Sequence, residues 1–306
     1  MKGATVLVLL LSQGAIASAC AQPRTPRVDT LVVGSTSGLQ LRVATESSDP
    51  LLRVVLPGHD TADRSIEVLF PEHVTALRHG QAAEQLYVFR RGNRGRRPSW
   101  RKAGGALEYE RDLPGAVHLL ARATLEDDGV RFRYEFQNQS TAAAYDMIYA
   151  VTDPRLTSEF HDERLERTYV HHPDGFDLLA SETPARLSES RDRWLPARYL
   201  ASYTWPVPAR LVERRDDGVT YYTKSRAVDE PFIATLSKDS AWVVASFTRE
   251  TGNVWSNPEL TCQHVDPQAS LSPNGHAVVE VKILILRGSL DDALQRSRQQ
   301  RSMLGG

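Results

Sequence analysis

Two cysteines in 306 residues, Cys20 and Cys262, leave no disulfide framework to read from spacing. Lysine is nearly as scarce. Beyond Lys2 the chain carries only Lys102, Lys224, Lys238 and Lys282, so its basic side is almost all arginine. With 37 basic against 38 acidic residues the formal net charge is −1. Such a balance creates no global field for a polyanion, and nucleic acid is not an expected partner. The chain also lacks a Gly-x-Ser-x-Gly elbow, a Walker A loop and a Gly-x-Gly-x-x-Gly after a strand, which removes several large enzyme classes and implies no cofactor.

Long apolar runs are missing too. The run from Val6 to Leu11 is too short to span a bilayer. Preceded by Lys2 and followed by small residues in MKGATVLVLLLSQGAIASACAQP, it has the layout of a secretory signal peptide. Cleavage after Ala19 or Ala21 is one expectation. Lipidation is the other, because Ala17-Ser18-Ala19-Cys20 resembles a bacterial lipobox and offers Cys20 for lipid attachment. Residues 1–21 are therefore read as a signal and residues 22–306 as a single exported β-sandwich domain, periplasmic, outer-membrane-anchored or extracellular. Membrane contact is expected only through the lipid. Cys262 is left as an unpaired thiol, which suggests burial more than reactivity.

What is present is period-two alternation. Val130, Phe132, Tyr134 and Phe136 alternate with Arg131, Arg133, Glu135 and Gln137, and Asp128-Gly129 is the predicted tight turn before them. Similar runs recur at 39–45, 65–70, 85–90, 107–111, 220–224, 242–248 and 278–286. Only the C-terminus signals a helix. Ser289 can cap it, Asp291 and Asp292 fall in its first turn, and Asp292 precedes Arg296 by four. Many strands and hardly any helix predict an all-β fold of antiparallel sheets packed face to face, with a short C-terminal helix.

Several polar clusters could carry chemistry. In RTYVHHPDGF an extended reading puts Tyr169 with His171 on one face and Val170 with His172 on the other, so the two histidines do not form a dyad. At most one faces a cleft, while its neighbour faces solvent or the Pro173-Asp174-Gly175 turn. In TCQHVDP, Cys262, His264 and Asp266 fall at i, i+2 and i+4 on one strand face. Histidine beside aspartate can do general acid and base work. Metal ligation could draw on His161, Asp162, His171 and His264, but no close spacing such as His-x3-His occurs, and no metal is assigned. Trp205 and Trp255 sit beside prolines in loop-like sequence and are candidate plates for a sugar ring. The basic, glycine-rich segment 90–105, with Trp100, reads as a loop whose arginines could hold an oxyanion.

Three stretches carry a family resemblance: LLARATLEDDGVRFRYEFQNQSTAAAYDMIYAVTDPRL, LTCQHVDPQASLSPNGHAVVEVKILIL, and the succession of strands over roughly 31–286. Together the chain resembles the galactose-mutarotase-like supersandwich, a large antiparallel β fold of sugar epimerases and of domains in polysaccharide-active enzymes. Mutarotases of that fold use a histidine acid and a glutamate base. Here Asp153 stands near the place of the histidine, and Cys262-Gln263-His264 replaces the Cys-x-Glu pattern, so aldose 1-epimerase activity is not expected. The resemblance implies a carbohydrate partner, poly- or oligosaccharide. The expected site uses His171 and His264 as proton-transfer groups, Asp266 or Asp153 to orient one of them, and Trp205, Trp255, Arg155 and Arg198 to line the sugar. Two other readings stand beside it: a non-catalytic module binding glycan or protein, and a metal-dependent hydrolase.

Overall fold

The alternation of apolar and polar residues does build antiparallel sheets. The computed structural model describes residues 31–58, 65–86, 88–89, 97–182, 197–204, 213–216 and 218–305; the leader, Cys20 and Trp205 lie outside them. The largest sheet has nine strands, in the order Gly175–Leu178, Thr168–His172, Phe232–Leu236, Trp242–Thr248, His276–Arg287, Gly129–Asn138, Val117–Glu126, Ala106–Leu113 and Arg101–Ala103. Val130, Phe132, Tyr134 and Phe136 are fully buried on its inner face, each contributing roughly 1.5–3 kcal/mol by leaving water. The intervening residues sit on the other face, where Arg133 reaches Glu135 two residues along its own strand and Glu280 on the neighbouring one.

The hairpin exists, but its turn is shifted by one residue. Glu126 pairs with Gly129, so the two-residue turn is Asp127-Asp128 and the glycine already belongs to the strand. Gly129 is needed for another reason: at φ +147° a Cβ there would overlap the Ile283 carbonyl oxygen of the adjacent strand. The two turn acids tie distant parts together. Asp127 accepts from the Thr36 amide at 3.0 Å and its hydroxyl at 2.6 Å, while Asp128 accepts from Lys282 at 2.7 Å and Gln300 at 2.6 Å.

The expected helix spans Leu290–Arg301 and is closed by a capping box between Ser289 and Asp292. Asp292 is engaged in that cap, so Arg296 turns instead to Asp128, 3.5 Å away. Ala293 and Leu304 pack with Phe232, Ala234, Ala245 and Phe247 on the outer face of the nine-stranded sheet.

Three smaller sheets complete the architecture. One runs Val32–Gly34, Gln40–Val43, Leu51–Val55, Ser65–Leu69, Asp153–Arg155; a second runs Ala269–Leu271, Tyr145–Ala150, Val74–Arg78, Ala83–Leu86. The third runs Glu213–Asp216, Val219–Thr223, Ala197–Ser202, Asn253–Ser256, and holds one parallel pair, Ala197 with Thr220 to Leu200 with Thr223. Residues of all four sheets, among them Leu41, Ile148, Phe132 and Tyr199, join one contiguous buried cluster. The fold is thus a large antiparallel β-sandwich with a C-terminal helix. Of the expected loop 90–105, residues 90–96 lie outside the described residues; in the rest Arg101–Ala103 is a strand, Trp100 packs edge-on to Tyr109 at 4.9 Å, and Arg97 donates to the Thr45 carbonyl at 2.7 Å.

Burial pushes the Asp128 carboxyl up, but the Lys282 ammonium, Gln300 and Arg296 outweigh it and hold the carboxyl below its usual range. A carboxyl depressed in the folded state stabilises above its unfolded pKa and loses that contribution as pH falls through the folded value. Urea unfolding across pH should therefore show stability falling below about pH 4. Lys282→Met should flatten that fall; equal acid slopes in the two proteins would refute the coupling.

Candidate functional site

Segment 261–266 threads between two sheets. Cys262 bridges Arg155 in one, and His264 bridges Trp255 in the other through paired backbone hydrogen bonds of 3.1 and 3.0 Å. Side chains of an extended segment alternate. Gln263 points to the nine-stranded sheet, where its amide donates to Thr235 Oγ1 at 2.9 Å and the Val244 carbonyl at 3.0 Å, and accepts from Ser246 at 2.9 Å. Cys262, His264 and Asp266 consequently face the other way, toward Asp153.

There the imidazole of His264 lies between two carboxylates. Its Nε2 is 3.4 Å from Asp153 Oδ1 and its Nδ1 is 3.6 Å from Asp266 Oδ1. Trp255 covers the ring, with centroids 3.7 Å apart and planes 4° from parallel, and its Nε1 donates to Asp266 Oδ2 at 3.1 Å. Arg155 Nε donates to Asp153 Oδ2 at 2.7 Å, and the Arg198 guanidinium lies 5.6 Å from the Trp255 ring centre. Asp153 Oδ1, His264 Nδ1 and Asp266 Oδ1 are buried without a hydrogen-bond partner among the described residues. Six expected site residues are thus brought together: Asp153, Arg155, Arg198, Trp255, His264 and Asp266.

Burial alone would lower the pKa of His264. Its neighbours Cys262, Asp266 and Asp153 outweigh burial and lift the imidazole well above its usual value. Burial likewise raises Asp153, against His264 and Arg155, and the two cations win, leaving its carboxyl below the ordinary range. Asp153 Oδ1, the Cys262 sulfur and a ring nitrogen of His264 also lie within 4.8 Å of one another, a set of donors able to hold a metal ion. The set suggested by the sequence, His161 and Asp162 with the two histidines, does not converge in this way, since Asp162 accepts from the Glu166 and Arg167 amides and the Thr168 hydroxyl.

His171 is placed elsewhere. Across the strand pair Thr168–His172 and Phe232–Leu236, Thr168 stands opposite Thr235, which takes the Gln263 amide, and Tyr169 stands opposite Ala234 on the helix side. His171 shares the face of Tyr169, pairs with Asp229 at 2.7 Å and packs edge-on to Phe176. It cannot partner His264 through the sheet. His172 is not solvated either: it is fully buried, and its Nδ1 donates to the Ala227 carbonyl at 2.9 Å. Trp255 differs from expectation too, because the ring face covering His264 is closed to a sugar.

Sequence reasoning missed His73 and Tyr149. Burial lowers the His73 pKa against the carboxylates of Glu72, Asp266 and Asp153, and it raises Tyr149, with Asp266 adding to the rise. Both therefore feel the same cluster. The available signal was that Tyr149 lies four residues before Asp153 in the strand run DMIYAVTDPRL. For His73, nothing in the sequence marked it.

Asp153→Ala removes the partner of two cationic side chains and should cost about 3–5 kcal/mol in urea unfolding. A loss under about 1 kcal/mol would show that the cluster is no ion network. Gln263→Leu keeps the volume and removes the hydrogen bonds to Thr235 and the Val244 carbonyl and the acceptor of the Ser246 hydroxyl, with an expected cost of ~2 kcal/mol.

No family model matches the chain, and no curated protein matches it. Solved structures do. One is a galactose mutarotase related enzyme from Lactobacillus acidophilus, 10% identical with a TM-score of 0.48 over 85% of this chain and 98% of that one. Another is a GalM/aldose epimerase homologue from C. elegans, 10% identical with a TM-score of 0.48 over 84% of this chain and 98% of that one. An alpha-N-acetylgalactosaminidase from Bifidobacterium bifidum is 11% identical with a TM-score of 0.47, and the match takes in 88% of this chain and 38% of the larger protein.

Proposed function

We propose that this is an exported, carbohydrate-associated protein that holds a glycan against Arg155, Arg198 and Asp266 and acts on it by proton transfer, with Asp266 meeting the sugar. The observation that carries this reading is a gradient of burial across one cluster. The side chains of His264 and Asp153 are 1% and 3% exposed, whereas Asp266 is 13%, Arg155 21% and Arg198 30% exposed. A group that exchanges a proton with a substrate must come within hydrogen-bond reach of it. His264 is too deep for that and acts as a positioning residue, one ring nitrogen facing Asp266 while Trp255 fixes the other carboxylate oxygen. Arginine forks on the rim suit vicinal hydroxyls or acidic groups of a glycan.

The purified mature protein, screened against a broad panel of polysaccharides for binding and for new reducing ends, tests the proposal. Asp266→Asn should retain binding and lose turnover by about 100-fold or more. Arg198→Ala should weaken binding about tenfold, or ~1.4 kcal/mol. Binding without turnover in the parent protein would leave the non-catalytic module as the reading. Neither binding nor turnover on any glycan would sink the carbohydrate assignment.

A further inference from the structure

We propose that Asp153, Cys262 and His264 form a binding site for one zinc-class divalent cation, held through Asp153 Oδ1, Cys262 Sγ and His264 Nε2. The three donors come from two segments that the backbone itself registers, since Arg155 bridges Cys262 and the Gln263 amide donates to the Pro154 carbonyl at 3.3 Å. Their donor atoms all lie within 4.8 Å of one another. The His264 to Asp153 separation of 3.4 Å already equals the edge expected for nitrogen and oxygen ligands at ~2.0–2.1 Å from a tetrahedral zinc.

Two independent features favour a cation here. Asp153 Oδ1 is buried and has no hydrogen-bond partner among the described residues, while its twin Oδ2 is held by Arg155, so one lone-pair face is aimed into the cluster. The outer contacts have the form that tunes metal sites: Asp266 faces the second nitrogen of His264, and Trp255 holds Asp266.

The donor types set the class of metal. Thiolate and imidazole suit zinc, cobalt and their neighbours and disfavour magnesium and calcium, which take oxygen ligands. Cys262 is fully buried, so no substrate reaches it as a nucleophile. On binding, the thiol proton leaves to solvent as the metal–sulfur bond forms. Among the described residues no fourth histidine, cysteine or carboxylate joins the group, which leaves one tetrahedral position for a water oxygen.

The test uses the full chain, stripped with a chelator, refilled with Co²⁺ and freed of excess metal. Elemental analysis should find one equivalent of cobalt, and the spectrum should show thiolate-to-cobalt charge transfer with the intense visible bands of a tetrahedral ion. Cys262→Ala should abolish the charge-transfer band and the retained metal, and His264→Ala should do the same. Should His264→Ala fail to fold, Cys262→Ala, which deletes one sulfur, decides. Asp266→Asn should keep the spectrum and weaken cobalt affinity 10- to 100-fold. No retained cobalt, or an unchanged spectrum in Cys262→Ala, overturns the site. This inference stands apart from the proposed function: glycan turnover with no cation bound would overturn it alone, whereas stoichiometric cobalt in a protein inert toward glycans would uphold it and sink the other.

Discussion

The side chain of Gln263 sets the geometry of everything around the site. Its amide makes three buried hydrogen bonds to the nine-stranded sheet, so segment 261–266 has one favourable register there. A slip by one residue would bury the Cys262 thiol or the His264 ring against Thr235 and Ser246 and leave an unsatisfied amide on the opposite side. Because the register is fixed on the sheet side, the thiol, imidazole and carboxylate are delivered together on the other. A neutral amide thereby positions a charged cluster without sharing its charge.

That cluster concentrates opposite signs in a confined volume. Arg155, Asp153, His264 and Asp266 alternate positive and negative along one line of contacts, with Trp255 lying flat over the imidazole. Each member has a neighbour of opposite charge within 4 Å, which is how several ionisable groups are held largely out of solvent. The arrangement also grades access. Deep groups hold geometry, and shallow ones meet whatever arrives from solvent.

Much of the fold was legible because it rests on local period. Residues 130–137 declare a strand by alternation alone, 242–248 and 278–286 by short apolar runs, and Ser289 with Asp292 declares the helix start. The same alternation puts Cys262, His264 and Asp266 on one face, as they are found. What it could not give is which way a face points once strands pair. His171 and His264 both read as polar residues of strands, yet the pairing of Tyr169 with Ala234 turns the former toward the helix. Trp255 read as an open plate because its flanking prolines suggest a loop, whereas its backbone pairing with His264 draws the ring down over the imidazole. The hairpin turn missed by one residue for a related reason: Gly129 looked like turn chemistry, but its missing side chain makes room for Ile283 of a strand far along the chain.

The scarcity of lysine has a practical side. Lys224 is buried against Asp177 and Ser181, and Lys282 against Glu126 and Asp128, leaving Lys102 and Lys238 as the exposed amines among the described residues. Lys102 lies in the edge strand Arg101–Ala103 of the nine-stranded sheet, and Lys238 in the turn leading into Trp242–Thr248. Amine-directed reagents therefore meet few side-chain targets on the folded body, neither of them among the residues of the His264 cluster. Immobilisation or dye labelling through lysine would attach the protein by few points and spare those residues, while the same reagents applied to unfolded chains would gain two further amines.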